Sequence, residues 1–265
     1  AQGGDLTSYA YVWDGGMSTA GLGVFGGWTQ TTTYANNKTL IEQKDRFDRL
    51  LGHVDLGGNG SSLIYDKAGR LVQRTGGSVV NYTYFNTNRA ATVAAVGANQ
   101  VDQTIQAYGY DRVGSVVSEG ITQVTQTTII NPYTGLPLVL GPFSQVLKSA
   151  TASYDALGRM TNWSEAAGVN GPASSTAFAY DANGNIRRST SQFQALDSNG
   201  AASASVSSTD YWYRYDALNR VVTERGVLQG GMIVRGASGQ GVDIAYDLAG
   251  QRVYTLTSFQ DTYLV

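Results

Sequence analysis

The chain has 265 residues, of which 14% are charged, against about 25% in an ordinary soluble domain, and it is rich in glycine (33 residues) and tyrosine (17). This composition favours strands joined by tight turns, and we predict an all-β fold. The net charge of −2 argues against a nucleic-acid partner, and the absence of cysteine argues against disulfides or cysteine metal sites. The chain has no run of 18 apolar residues, which argues against a membrane span.

Residues 1–46 are rich in glycine, threonine and aromatic residues, and we interpret them as divergent β-repeats that lead into a sheet. The stretch "GLGVFG" (21–26) has the glycine spacing of a dinucleotide-binding loop. Such a loop must follow a strand and open a helix, so that backbone N–H groups face the phosphates. The next residues, "GWTQTTTY", favour a strand, so we predict no phosphate site and no cofactor.

Six copies of one short pattern follow, in which Tyr and Asp precede two variable residues, a Gly or Asn, and a polar residue. Repetition at this level predicts a repeat architecture. We take the Tyr, Asp and Gly or Asn positions as structural turn residues; they are Tyr65, Asp66 and Gly69; Tyr110, Asp111 and Gly114; Tyr154, Asp155 and Gly158; Tyr180, Asp181 and Gly184; Tyr215, Asp216 and Asn219; and Tyr246, Asp247 and Gly250.

The chemistry of each copy predicts the corner of a β-hairpin. The tyrosine ends an incoming strand, and the aspartate carboxylate accepts hydrogen bonds from backbone N–H groups two or three residues later. Gly, or Asn in the fifth copy, tolerates the positive φ that a hairpin with a bulge requires. The alternating residues that follow, as in "RLVQRT", predict an outgoing strand with one covered face.

Two degenerate copies fit the same scheme. In "RFDRLLGHV" we place Phe47 and Asp48 in the Tyr and Asp positions, with one extra residue before Gly52. In "TYFNTNRAA", Tyr84 is retained and Asn88 takes the positive-φ position. With Tyr84 included, the unit is roughly 20–26 residues, one strand–turn–strand pair, which must stack on its neighbours to bury its faces.

The predicted repeat region is therefore 47–257, with insertions at two segments. Residues 119–150 contain three of the four prolines, and we expect an insertion packed on the sheet. Residues 193–209, "FQALDSNGAASASVSST", are of low complexity, and we expect a mobile loop. We see no domain boundary, and 258–265 is interpreted as the start of a further strand in a segment of a larger protein.

The pattern resembles the RHS/YD-repeat family, whose hallmark is Tyr-Asp-x-x-Gly-Arg-Leu at a period of about 20 residues. "YDKAGRL", "YDALGRM" and "YDALNRV" match it closely, and the resemblance covers 47–257. It implies an extended antiparallel sheet of repeated β-hairpins that coils as a shell or solenoid segment. In toxin members of the family an Asp-Pro segment with an autoproteolytic site closes the shell. Because this chain has no Asp-Pro pair, the resemblance implies that it forms part of the shell wall and carries no cleavage residues.

The function that the resemblance implies is structural. In bacterial polymorphic toxins and insecticidal toxin complexes the shell encloses a C-terminal toxin, so the implied partners are flanking repeats of the same protein and an encapsulated C-terminal effector, and the implied location is secreted or on the surface of a bacterium. The family also includes wall-associated bacterial proteins and animal teneurins. The alternative is therefore a surface-exposed adhesion array that binds polysaccharide through exposed aromatic rings, with Trp13, Trp28, Trp163 and Trp212 as its platform.

We predict neither a metal site nor enzymatic activity. "DANGN" at 181–185 resembles the start of a calcium loop, but Gln192 stands where the distal bidentate glutamate is needed. His53 is the only histidine, so a hydrolase triad would have to use it, and no Gly-x-Ser-x-Gly elbow is present. The repeated aspartates are explained by their turns.

Overall fold

The computed structural model describes residues 6–168, 171–200, 202–236, 239–257 and 261–263. The regular structure in these ranges is β throughout, and its strand pairs are antiparallel, which confirms the predicted fold class. The strands are β1 (Ser8–Asp14), β2 (Ser18–Thr19), β3 (Gly23–Val24), β4 (Gly27–Thr33), β5 (Thr39–Asp45), β6 (Leu50–Val54), β7 (Gly60–Tyr65), β8 (Leu71–Thr75), β9 (Val79–Tyr84), β10 (Ala90–Val96), β11 (Gln103–Tyr110), β12 (Val116–Ile130), β13 (Pro137–Tyr154), β14 (Met160–Glu165), β15 (Ser174–Tyr180), β16 (Ile186–Leu196), β17 (Ala202–Tyr215), β18 (Val221–Gln229), β19 (Met232–Val234), β20 (Val242–Tyr246), β21 (Arg252–Leu256) and β22 (Asp261–Tyr263).

The described residues divide into two compact units, whereas the sequence showed no boundary. The first unit takes its residues from Ala1–Tyr108 and Gly120–Val146, and the second from Gly109–Glu119 and Leu147–Val265. The strands β11, β12 and β13 each contain residues of both units.

In the first unit, β4 to β11 form a meander in which each strand pairs with the next one in the chain. The first strand, β1, pairs with β4 in a register that sets Trp13 opposite Trp28. The short strands β2 and β3 form a separate hairpin between them.

In the second unit, the same meander runs through β13 to β18. The strand β18 then pairs with both β19 and β20, and β20 continues to β21 and β22. Pairing each strand with its sequence neighbour needs only short turns, which suits a glycine-rich chain.

Successive turns of a meander lie alternately at the two ends of its strands. In the first unit, the turns around 46–49, 66–70 and 85–89 therefore share one end, and those around 34–38, 55–59 and 76–78 share the other. In the second unit, the turns at 155–159, 181–185 and 216–220 share one end for the same reason. Within each unit, the repeated motif thus marks one end of the strands.

Burial is spread over the strand faces and is not concentrated in one core. Among the described residues, Ala150, Ala152 and Ile244 are the buried hydrophobic side chains, and the largest fully buried side chains are Thr19, Thr223 and Asp45. Most other strand side chains are half-buried. Polar residues that bond across strands, more than apolar packing, therefore fix the structure locally.

Two segments have more strand than we expected. Most of 119–150 lies in β12 and β13, because its Thr-, Val- and Ile-rich runs favour strands, while Pro132 falls in the connecting turn and Pro137 at the first position of a strand. Most of 193–209 lies in β16 and β17, where Phe193 pairs with Ser207. Of 258–265, Asp261–Tyr263 forms β22, and the other five residues lie outside the described residues.

Candidate functional site: the aspartate turns

We call the five residues that start at the aspartate of each copy an aspartate turn, and 155–159 shows its geometry. The Asp155 Oδ1 atom accepts hydrogen bonds from the backbone N–H groups of Leu157 and Arg159, each at 2.9 Å. The Arg159 Nε–H donates to Asp155 Oδ2 at 2.7 Å. The turns at 66–70 and 216–220 repeat all three bonds. The carboxylate thus closes the turn at two and four residues, where we had expected two or three.

The three carboxylates of these turns are held in their ionised form. The backbone N–H of the arginine four residues later is the largest influence that lowers the pKa of Asp66, Asp155 and Asp216, and the arginine side chain lowers it further. An ionised carboxylate accepts all three bonds without donating, which the turn requires.

The fourth residue of each aspartate turn has positive φ. It is 77° at Gly69 and Gly158, and 59° at Asn219. At Gly158 no heavy atom lies within 4 Å of the position that a Cβ would occupy, so the backbone angle alone limits the choice of residue there. Gly114, Gly184 and Gly250 also have positive φ.

The other three turns keep the aspartate but have a neutral residue in the fifth position. Asp111 Oδ1 accepts from the N–H groups of Val113, Gly114 and Ser115, Asp181 binds Asn185 through its backbone and its side chain, and Asp247 accepts from the Gln251 N–H. In "DANGN" the Asn185 side-chain N–H group donates to Asp181 Oδ2 at 3.1 Å. The Tyr residues Tyr110 and Tyr246 precede their turns as the last residues of β11 and β20.

One prediction was wrong by three residues. The aspartate of the first turn is Asp45 and not Asp48: Asp45 Oδ1 accepts from the Phe47 and Arg49 N–H groups, and Arg49 Nε–H donates to Oδ2 at 2.7 Å. Asp48 occupies the positive-φ position, with φ of 64°. The sequence signal for this turn was the spacing of Asp45 and Arg49, which equals that of Asp66 and Arg70. The prediction relied instead on an aromatic residue before the aspartate.

Tyrosine hydroxyl groups join five of the turns to the next hairpin of the same unit. In the first unit, the Tyr65 and Tyr84 hydroxyls donate to the carbonyl oxygens of Leu50 and Leu71, at 2.6 and 2.7 Å. In the second unit, Tyr154, Tyr180 and Tyr215 donate to the carbonyl oxygens that follow the preceding turn: Val116, Met160 and Ile186. The sequence pattern placed the tyrosines at the ends of incoming strands and did not predict these hydroxyl bonds.

Arginine side chains make a second connection between consecutive turns. The guanidinium carbon of Arg70 lies 4.8 Å from the centre of the Tyr84 ring, that of Arg159 lies 4.4 Å from Tyr180, and that of Arg220 lies 4.5 Å from Tyr246. The same guanidinium therefore bonds its own aspartate and stacks on the tyrosine of the next hairpin.

The loop between β1 and β4 covers the first turn of the row. Thr19 Oγ1 donates to Asp45 Oδ2 at 2.9 Å, the Ala20 carbonyl accepts from the Tyr65 N–H, and the Gly26 carbonyl accepts from the Arg46 N–H. Asp45 is 1% exposed as a result. The stretch "GLGVFG" lies in this loop and leads into the strand β4, so its glycines serve a close approach: a Cβ at Gly21 would meet the Tyr65 carbonyl oxygen at 2.4 Å.

The four tryptophans do not form one platform. Trp13 and Trp28 are a cross-strand pair in the first unit, with ring centres 4.8 Å apart. In the second unit, Trp163 lies opposite Thr176 and Trp212 opposite Arg188, positions that alternate to opposite faces of the sheet. Lys148 lies over Trp163, and Arg188 over Trp212.

His53 is hydrogen-bonded to Ser61, with 2.6 Å between Nδ1 and Oγ. The two residues are cross-strand partners on β6 and β7. In the part of the chain that the structure describes, no group of three or more His, Asp or Glu side chains could hold a metal ion. The same part contains no helix of the length and apolarity needed to cross a membrane.

Comparison with known proteins gives weak similarities. The chain matches no protein-family model and no curated protein. Among solved structures, the Tc holotoxin pore of Photorhabdus luminescens, with a mutant TccC3, is 14% identical with a TM-score of 0.37, over 91% of this chain and 16% of that chain. The crystal structure of TcdB2-TccC3-TEV is 14% identical with a TM-score of 0.33, over 87% of this chain and 15% of that one. This chain thus spans less than a fifth of the length of either.

Proposed function

We propose that this chain is part of the wall of an RHS-type shell, built from YD repeats, that encapsulates a C-terminal toxin or effector for delivery by a bacterium. The motif resemblance suggests the family, and the row of aspartate turns is the observation that carries the proposal. In an ordinary meander, backbone ladders alone join the hairpins. Here five turns are also bonded to the next hairpin through a tyrosine hydroxyl. Several are joined to it through an arginine as well. Such bonds favour a stiff wall.

A second observation concerns the face that such a wall turns toward its cargo. In the first unit, the side chains on the face opposite the tyrosines carry no charge from β4 to β11, apart from Asp45, which its turn occupies; they include Thr29, Thr31, Ile41, Gln43, Val54, Ser62, Ile64, Gln73, Thr75, Asn81, Thr83, Thr92, Ala94, Ile105 and Ala107. We call this surface the uncharged face.

Three pairs of hydroxyl or amide groups on the uncharged face bond to one another across strands. Ser62 contacts Thr75, Gln73 donates to Asn81, and Thr83 contacts Thr92. A surface that has no charge, and on which several polar groups are already paired, offers little for an unfolded chain to bind tightly. The role that we propose for it is exclusion and release: the wall confines the effector and does not hold it.

Small-angle X-ray scattering on the full-length native protein tests the shell itself. We expect the pair-distance distribution of a hollow particle and resistance of the C-terminal effector to protease. A solid or elongated profile with an accessible C-terminal segment would overturn the proposal.

A matched pair of variants tests the assignment of the inner face. Thr83 and Ala95 are exposed residues on neighbouring strands, and they face opposite sides of the sheet. Thr83→Lys places a charge on the uncharged face and should slow release of the effector, while Ala95→Lys places it on the other side and should not. Equal effects would contradict the assignment.

The second candidate function is a glycan-binding array. Trp163 and Trp212 lie on opposite faces of their sheet, so a platform on one face of the second unit can include only one of them. The exposure of Trp13 and Trp28, and the contact between their rings, favour a smaller glycan site at that pair.

A further inference from the structure

In the first unit, the paired strands β1 and β4 present aromatic rings on one face. Along β1, Tyr9, Tyr11 and Trp13 alternate with residues of the other face, so their backbone positions are about 6.8 Å apart on the same face. Tyr9 and Tyr11 are each 61% exposed, Trp13 is 48% exposed, and its partner Trp28 is 47% exposed. Rings of this size are seldom left uncovered in a group without a binding role.

The two indoles are held in place before any ligand arrives. They meet edge to face, with 4.8 Å between ring centres and an interplanar angle of 63°. The Trp13 ring lies against the backbone at Gly26, where a Cβ would come within 2.7 Å of its Cζ2 atom. A ring fixed by backbone loses little conformational freedom when it binds.

Polar side chains continue the same face beyond the rings. The register sets Gln30 opposite Tyr11, Glu42 opposite Gln30, and Lys44 opposite Trp28. Together with Tyr11, Trp28 and Asp48, these three line an open cleft of about 420 Å³. Amide, carboxylate and ammonium groups beside an aromatic ring supply both donors and acceptors.

We infer that this cleft binds an extended chain of hexopyranose sugars. A pyranose ring has an apolar C–H face that stacks on an indole or phenol, and a rim of hydroxyls that both donate and accept hydrogen bonds. The aromatic residues of β1 recur at every second position of one extended strand, which suits a straight glycan better than a helical one. The carboxylates of Glu42 and Asp48 disfavour phosphate-bearing ligands.

The other tryptophans show what distinguishes this pair. Both Trp163 and Trp212 are half-buried, and cationic side chains lie over their rings, with the Lys148 Nζ atom 5.5 Å from the centre of the first and the Arg188 guanidinium carbon 5.0 Å from the second. A sugar would have to displace those cations. Trp212 is therefore a suitable control, because it is the same residue type in the same fold.

Titration of the full-length protein with cellohexaose and chitohexaose, followed by tryptophan fluorescence, tests the inference. We expect saturable binding of at least one of the two and none of maltohexaose, whose chain is helical. Trp28→Ala and Tyr11→Ala should each weaken binding by about tenfold or more, as aromatic anchors do in alanine scans, and Trp212→Phe should leave it unchanged.

A second pair of variants separates the polar rim from general effects on folding. Gln30→Ala removes an amide from the cleft, whereas Gln43→Ala removes one from the opposite face of the sheet. Only the first should weaken binding, and both should melt like the wild type. The inference is overturned if the wild-type protein binds neither straight hexasaccharide, or if Trp28→Ala binds as tightly as Trp212→Phe does. The shell proposal makes no demand on this cleft, so the two can fail separately.

Discussion

Two kinds of aspartate turn occur in this chain. The arginine turns (66–70, 155–159 and 216–220) have a guanidinium at the fifth position, and the neutral turns (111–115, 181–185 and 247–251) have a serine, an asparagine or a glutamine. Both kinds have an aspartate that bonds the fifth backbone N–H, and both have positive φ at the fourth residue. The two kinds therefore form the same turn with different side chains.

The difference lies in how a turn is joined to its neighbour. In the arginine turns the guanidinium stacks on the next tyrosine. In the neutral turn at 181–185, the Asn183 and Asn185 amides donate instead to Asn219 Oδ1, at 3.1 and 3.0 Å. Different residues therefore close a turn and join it to the next one. The aspartate and the positive-φ residue close the turn, and the fifth side chain adds to the connection that the tyrosine hydroxyl makes.

Acid should break both kinds of turn together, and we expect this to be the largest effect. The pKa of Asp66, Asp155 and Asp216 is lowered mainly by the arginine backbone N–H, and hydrogen bonds also lower it for Asp111 and Asp181, against burial, which raises it. Because the folded values lie below the unfolded value of about 3.9, this stability is present above that pH and is lost as the pH falls through the folded values.

The measurement is the urea midpoint of unfolding between pH 7 and pH 2. These carboxylates should leave it unchanged down to about pH 5 and lower it steeply below about pH 4. Asp155→Asn should lower the midpoint at pH 7 and make the acid dependence shallower. A midpoint at pH 3 equal to that at pH 6 would rule out the ionised turns as a source of stability.

Gly158→Val should be the most damaging single substitution in a turn. A β-branched residue at φ of 77° is strained, and the expected loss is about 1–3 kcal/mol of unfolding free energy. Gly158→Asn is the matched control, since Asn219 holds the same position with φ of 59°, and it should cost less. Thermal melts of both variants decide the matter, and equal melting of Gly158→Val and wild type would contradict the assignment of this turn.

Tyr180→Phe should cost about 1 kcal/mol, because it removes the hydroxyl that bonds the Met160 carbonyl at 2.6 Å and leaves the ring under Arg159. Tyr213→Phe is the control: its hydroxyl is 3.4 Å from Ser189 Oγ, a long contact, and its loss should be smaller. Chemical denaturation of the two variants in parallel makes the comparison. If they are equally stable, the hydroxyl connection between turns contributes nothing.

The turns could be predicted from the sequence because they are local. Asp155 and Gly158 are fixed by contacts within five residues, so six repetitions of the pattern were sufficient. The same locality explains the error at Asp45, whose turn has no tyrosine before it and an aspartate where the others have glycine or asparagine. The residue four positions on, Arg49, was the better guide.

The connections between turns could not be predicted, because they join residues that the strand register brings together. The Met160 carbonyl meets Tyr180, 20 residues later, and Thr19 meets Asp45 from a loop with no repeat pattern. The pairing of Trp13 with Trp28 likewise depends on how β1 aligns with β4. The sequence did contain one regularity: four of the five acceptors lie six residues after the tyrosine of the preceding copy, as Leu71 follows Tyr65 and Met160 follows Tyr154.

Ser115→Arg should convert a neutral turn into an arginine turn, with the smallest effect of the four. Asp111 already accepts from the Ser115 N–H at 2.8 Å, and the Tyr154 hydroxyl already bonds the Val116 carbonyl, so an arginine here meets the surroundings that Arg159 has. A raised melting temperature, by less than the fall caused by Tyr180→Phe, is expected because exposed ion pairs contribute little. Ser115→Lys supplies the charge without the planar fork and should gain less. Equal rises in melting temperature for the two variants would show that charge alone acts at this position. Stacking of arginine on the next tyrosine would then not distinguish the two kinds of turn.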